Sequence, residues 1–480
     1  GAVLIESPGR ASLEFLDSEV HTCNSCIQIG QPARGHTDDG FPAESTEYIR
    51  IAGCVFRGYA EGVRHLGDRP RKFAERVRQR KTGILNNNAK HMIVERCEFA
   101  GHDRRNFRMM CRTILTYNTS SRHLYFARNL SRETGFRAPL DGGSINAGEQ
   151  YLFHFKYPYG GYFDVEAASD DSVTVNAADP RNEGTVRHPH KLVDRTGSRV
   201  LEEVGANRHW ILFVARGRGV GHYRVVTGQE RLEDGRVRLG VGKPWRVTPD
   251  GSSDVVLTAA YRENIVYGNT VDCGFIDDRC KNGGVQWWFN TFENVVAENV
   301  FRNCSYGVVY NCSFRQPNAW NLTRDNVMET MRGMSAAGSQ TAAFYVDNYY
   351  LNVFDENPAV TSAEEEAGWY GVGNVARWNR GRDSEAAAYV HGFDFPDKHD
   401  EEKSRTEEID QAPNTGLMMP VLEHNAFLGV DRGIVVNPPA AWILLRKNRV
   451  ETEDPDAPDV VDQGKGSTRG LTVIRSGTAP

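Results

Sequence analysis

Apolar residues recur along this chain in runs of three to five that alternate with polar ones, the period of short β-strands and not of helices. The clearest instance is VVAENVFRNCSYGVVY at 295–310: a short strand, a corner at Asn299, an inward Phe301 and a second strand opened by Gly307. The same spacing returns at 15–29, with Ser18 in the place of Asn299, Val20 at Phe301, Cys23 at Cys304, Cys26 at Gly307 and Ile27 at Val308. It returns at 54–63, headed by Cys54, and at 425–436, headed by Asn425, while looser copies put Cys97, Asn129, Asn269 and Asn448 at the corner. A unit this short cannot bury its own apolar side and must stack on copies of itself, so the pattern predicts a solenoid. At the corner, Asn tolerates a left-handed backbone, and its amide donates to one neighbouring coil while accepting from the other. A continuous column of asparagines is therefore expected, with Cys54 and Cys97 as small buried substitutes.

On these residues the chain resembles the right-handed parallel β-helix superfamily typified by pectate lyases, polygalacturonases and many surface or phage-associated polysaccharide-degrading proteins. The resemblance runs from about 13 to 450 apart from two interruptions. It implies an all-β fold, a polysaccharide partner and a secreted or cell-surface location. It stops at the superfamily, because the polygalacturonase set Asn-Thr-Asp, Asp-Asp, Gly-His-Gly and Arg-Ile-Lys is not present as a set; Asp277-Asp278 is one fragment of it.

Five stretches follow from where the template holds and where it fails. Residues 1–150 read as the first coils of a right-handed parallel β-helix, and 263–314 as its central coils. Residues 420–480 read as its final coils and a tail. Between them, 151–262 carries longer β-like runs such as WILFV and HYRVV and reads as an inserted antiparallel β subdomain. The second interruption, 315–419, is rich in aromatic and acidic residues and reads as a loop-rich insertion. The glycines of 217–221 suggest a phosphate loop only superficially, since neither a helix nor Gly-Lys-Ser/Thr follows; a turn between strands is expected.

Composition changes this picture in three places. No apolar run reaches membrane-spanning length, and a net charge of −6 gives no reason to expect nucleic acid. Arg far outnumbers Lys, which suits bidentate recognition of carboxylate or sulfate groups on an acidic glycan, and equally suits a GC-rich genome. The Cys23-x-x-Cys26 pair has the spacing of a redox or zinc motif, but both residues fall on template positions, so a structural role is expected. The chain, starting at Gly1, reads as a mature or trimmed form.

Candidate chemistry gathers in loops extruded between strands. Arg64 and His65 lie beside a densely basic stretch at 69–81, and Arg104 and Arg105 follow the next corner. Two basic loops from successive coils would suit a polyanion, and His65 as base beside arginines would suit elimination from a uronate. Asp277 and Asp278, with Asp141 and Asp272 in reserve, offer the carboxyl pair that glycoside hydrolysis needs if they sit on a turn. The same turn would serve as a Ca2+ ligand pair or a simple corner bond. Gln286, Trp287 and Trp288 are candidate sugar contacts; neighbours on a strand face opposite ways, so at most one Trp fills the core. A non-catalytic adhesive or structural β-helix protein is the competing reading.

Overall fold

The computed structural model describes residues 3–474 except 6–8, 23–25, 30–45, 59–81, 87–88, 101–111, 118–122, 133–142, 150–160, 179–184, 189–190, 195–209, 273–282, 289–290, 303–305, 313–316, 330–344, 349–368, 392–415, 438–439 and 463–469. Within that set the chain is all β, and its long sheets are parallel. One coil shows the plan. Tyr261–Arg262 forms a first face, a bend at Glu263 and Asn264 leads to Ile265–Tyr267 on a second, and a bend at Gly268 and Asn269 leads to Thr270–Asp272 on a third. The fourth face is Gly283–Trp288. Corresponding strands stack into sheets of six for the first face and eleven for the second. A sheet of nineteen joins the third and fourth faces, because Arg380–His391 and Ala426–Asn437 run through both as single strands. The result is a right-handed parallel β-helix, coiling in the sense that parallel crossovers take.

The register carries the template as the sequence predicts. Ile27 pairs with Ile84, Ile84 with Ile114, Ile114 with Ile145, Ile145 with Val285 and Val285 with Val308, so Ile27 does stand in the column of Val308. The middle residue of each short strand points in: Val266, Val296, Leu422 and Leu445 fill the core from the second face, and Val271, Phe301, Met328 and Phe427 from the third. One assignment is corrected. Gly62-Val63, read as the strand beside Ile27, lies outside the described residues, and the strand that pairs with Ile27 is Thr82–Asn86.

At the second bend the expected column is continuous. The main-chain N–H and Nδ2 of Asn269 both donate to Asn299 Oδ1 at 2.9 Å, and Asn299 repeats this to Asn326 at 3.0 and 2.9 Å. Asn326 passes it to Asn379, Asn379 to Asn425 and Asn425 to Asn448. Cys97 N–H donates to Asn129 Oδ1, and its Sγ faces Ile51 O as Asn129 Nδ2 faces Val94 O, so the thiol substitutes for the amide. The backbone reading of this corner is corrected: the left-handed residue precedes the asparagine. Glu298 has φ 56, Asp325 54 and Trp378 53, and Asn299, Asn326 and Asn379 follow them. A second column, Asn264, Asn294, Asn321 and Asn374, runs down the first bend with the same bonding.

The second interruption is also corrected. Residues 318–329 and 369–391 pair in register with the coils on either side, so two further coils lie inside 315–419.

The antiparallel insertion is a closed six-stranded barrel: Gly161–Ser169, Ser172–Asn176, Arg236–Val241, Tyr223–Arg231, Trp210–Arg216 and Asp254–Ala259 in spatial order. Trp210–Arg216 reads as an unbroken apolar run because both of its faces are buried. Trp210, Leu212 and Val214 line the barrel core, while Ile211, Phe213 and Ala215 pack into the solenoid. Phe213 and Tyr223 meet Phe292 of the first face at 5.7 and 5.1 Å between ring centroids. Trp320 Nε1 donates to Gly221 O at 2.8 Å. A Cβ at Gly221, where φ is 85, would lie 2.9 Å from Val372 Cγ1, so this close approach requires glycine.

Candidate functional site

The third face carries the site because of where the chain leaves it. The strands ending at Gly58, Ala100, Arg132 and Asp272 belong to four successive coils: Arg57 pairs with Ala100, Ala100 with Arg132 and Arg132 with Asp272. The chain returns on the fourth face at Thr82–Asn86, Arg112–Tyr117, Gly143–Glu149 and Gly283–Trp288, which are also consecutive neighbours. The connections are 59–81, with Arg64 and His65; 101–111, with Arg104 and Arg105; 133–142, with Asp141; and 273–282, with Asp277 and Asp278. These residues lie outside the described ones; the strand ends that anchor their connections lie along one edge of the stack. Adjacent anchors are about 4.8 Å apart, so the four span about 14 Å.

Beneath that edge runs an outward column of charged side chains. Arg132, Asp272, Arg302, Glu329 and Arg382 occupy the same strand position on five successive coils. Each sits three residues after a column asparagine, a spacing that would have revealed it from the sequence. Glu329 is held from both sides, by Arg302 Nε at 2.7 Å and Arg382 Nη2 at 2.8 Å, and Arg132 pairs with Glu98. Asp272 and Glu329 are two coils apart, about 9.6 Å at the backbone.

Of the three sugar-contact candidates, Trp287 is corrected. It is fully buried, as is Val285 two residues earlier, so strand alternation turns it into the solenoid core and away from any ligand. Gln286 and Trp288 share that strand, and their side chains lie outside the described residues. Cys26 is fully buried, and burial pushes its thiol up to about 12, which suits a packing role and not metal or redox chemistry. Among the described residues no group of three or more His, Cys, Asp or Glu is arranged to hold a metal, and the aspartates considered for Ca2+ lie outside that set.

No family model and no curated protein matches the chain. Among solved structures, a mutant tailspike protein of E. coli bacteriophage HK620 in complex with pentasaccharide is similar at 9% identity and a TM-score of 0.43, over 95% of this chain. This chain spans about half of that one, 53%. An exopolygalacturonase from Thermotoga maritima is similar at 9% identity and TM-score 0.33, covering 96% of this chain and 84% of its own. An alginate lyase from Paenibacillus is similar at 8% and 0.21, covering 96% and 88%. In-register coils, two asparagine columns and an inserted barrel make this chain a right-handed parallel β-helix protein.

Proposed function

We propose that the protein binds an acidic polysaccharide along the third face and cleaves it by hydrolysis. The observation that carries this reading is the convergence of four connections on one edge above the charged column. Two of them, 59–81 and 101–111, hold eleven Arg and Lys against four Asp and Glu, while the next two hold the aspartates. The basic connections thus start within a few coils of those that carry the aspartates, and the coil spacing of about 4.8 Å matches the scale of an extended glycan. The arginines bind substrate carboxylates bidentately. Glu329, fixed between two guanidinium groups, takes the proton of an attacking water, and Asp272 or the Asp277-Asp278 pair gives a proton to the leaving glycosidic oxygen. The tailspike, exopolygalacturonase and alginate lyase to which the fold is similar are named for glycan binding or breakdown, which agrees with this reading.

Elimination is the second reading, favoured by His65 and Arg64 belonging to the connection that leaves the coil next to the one carrying Arg104 and Arg105. A panel of acidic and neutral glycans tests both, with and without a Ca2+ chelator. New reducing ends without ultraviolet-absorbing unsaturated uronate, abolished by Glu329→Gln and by Asp272→Asn or Asp278→Asn, is the expected result. Unsaturated products lost in His65→Ala indicate elimination. A panel left uncut by both readouts overturns cleavage and leaves an adhesive protein.

A further inference from the structure

On the first bend, well separated in the coil from the third face, the left-handed positions stack into a straight outer column: Tyr48, His91, His123, Glu263, Glu293 and Trp320 on successive coils. Its middle is a bonded line of titratable groups. Tyr48 stacks on His91 with ring centroids 5.0 Å apart and planes 8° from parallel. His91 Nδ1 and His123 Nδ1 are 3.1 Å apart, and His123 Nε2 lies 2.6 Å from Glu263 Oε2. Glu263 Oε1 in turn accepts from Arg262 Nη1 at 2.9 Å.

We propose that His91 and His123 bind one zinc or copper ion through their Nδ1 atoms. Two nitrogens each about 2.0–2.1 Å from an ion, at the angles of tetrahedral or octahedral coordination, lie about 2.9–3.4 Å apart, and the observed separation falls inside that interval. Glu263 supplies what such a site needs behind its ligand. By accepting the Nε2 proton of His123 it selects the tautomer whose Nδ1 carries the lone pair, and Arg262 fixes that carboxylate. In the metal-free protein His91 donates its Nδ1 proton to that lone pair. On binding, His91 moves the proton to Nε2, both Nδ1 lone pairs turn to the ion, and no net proton is released from the neutral pair. Since no third protein ligand converges among the described residues, water or a carboxylate from a bound molecule completes the shell. The site ties the coil before the inserted barrel to its neighbour, and Glu263 comes from the first coil after it.

Isothermal titration of the whole chain with Cu2+ or Zn2+ tests this against the background of its 14 histidines. His91→Asn and His123→Asn remove the ligands while keeping a residue that tolerates the left-handed backbone, and circular dichroism confirms the fold of each. Wild type is expected to bind one equivalent more than either variant, with two-nitrogen hyperfine coupling in the Cu2+ spectrum. Glu263→Gln is expected to keep the stoichiometry and weaken binding about tenfold. A double variant with His91→Asn and His123→Asn that binds as many equivalents as wild type, equally tightly, overturns the proposal.

Discussion

Replacing Asn299 by alanine probes the column that holds the coils together. Asn299 is fully buried; its Oδ1 accepts from Asn269 N–H and Nδ2 at 2.9 Å, and its Nδ2 donates to Val266 O at 3.0 Å and Asn326 Oδ1 at 2.9 Å. Alanine leaves the Asn269 N–H and one of its two Nδ2 hydrogens without an acceptor and away from water, at about 1–3 kcal/mol each, while the other Nδ2 hydrogen still reaches Phe126 O at 3.0 Å. Asn326 Oδ1 keeps the main-chain N–H of residue 299, so the loss on that side is small. The expected cost of Asn299→Ala is about 3–5 kcal/mol, within the class of buried networks broken at one member. Asn448 ends the column half-buried; its Oδ1 accepts from Asn425 N–H at 3.1 Å and Nδ2 at 2.9 Å, and its Nδ2 donates to Leu422 O at 2.8 Å. Water can replace those partners, so Asn448→Ala should cost about 1 kcal/mol. Urea unfolding followed by tryptophan emission reads the difference, because the buried Trp287 lies on the adjacent coil. If Asn299→Ala is no more destabilising than Asn448→Ala, the column is not a main source of cohesion.

Two further changes test local packing and charge. A Cβ at Gly284 would lie 2.5 Å from the main-chain Gly307 O, whereas one at Gly307 would meet Met328 Sδ at 2.4 Å, the flexible end of a side chain. Gly284→Ala should therefore lower the urea midpoint clearly more than Gly307→Ala, and the reverse order would refute the packing account. Asp254, buried and facing Asp164 on the adjacent strand, is pushed up to about 6 by burial first and by that neighbour second. Between about 4 and 6 the folded chain keeps a proton that the unfolded chain has released, so this contribution to stability is full below about 4 and lost as pH rises through 6. Relative to Asp254→Asn, wild type should lose stability over that window; a gain would contradict the assignment.

The second-bend column was legible because each copy of the template pairs a corner Asn or Cys with an inward residue two positions on. The first-bend column was missed although it has an equally plain signal: Asn264 and Asn269, Asn294 and Asn299, Asn321 and Asn326, and Asn374 and Asn379 are each five apart. That interval is one three-residue strand between two bends. The coils at 318–329 and 369–391 were not legible because Gly381 breaks the apolar inward position that Met328 keeps, and because 330–344 separates Asn326 from its fourth-face strand. The barrel was legible by failure of the template, but its alternation was not, since Trp210–Arg216 buries both faces. Candidate residues on connections were found only by composition, which gives residue type and not position; topology then placed their anchors together.

Why the candidates gather where they do follows from the two asparagine columns. Each column binds main chain and side chain from coil to coil, and an added residue would break the bond to both neighbours. Every described bend that continues either column is accordingly two residues long, from Asp17 and Ser18 to Lys447 and Asn448. The third-to-fourth junction has no such column among the described residues. Coils 380–391 and 426–437 cross it as unbroken strands, while other coils add from 3 residues, at 303–305, to 23, at 59–81. Lengthening a connection there leaves the flanking ladder intact and costs only about 0.6 kcal/mol per doubling in closure entropy. The fourth-to-first junction likewise carries no bonded asparagine column among the described residues, and the barrel enters there. Connections of variable length are therefore accommodated at the two unpinned junctions. Of these, the third-to-fourth junction lies beside the charged column of Arg132, Asp272, Arg302, Glu329 and Arg382, whose members follow one another at the coil spacing of about 4.8 Å.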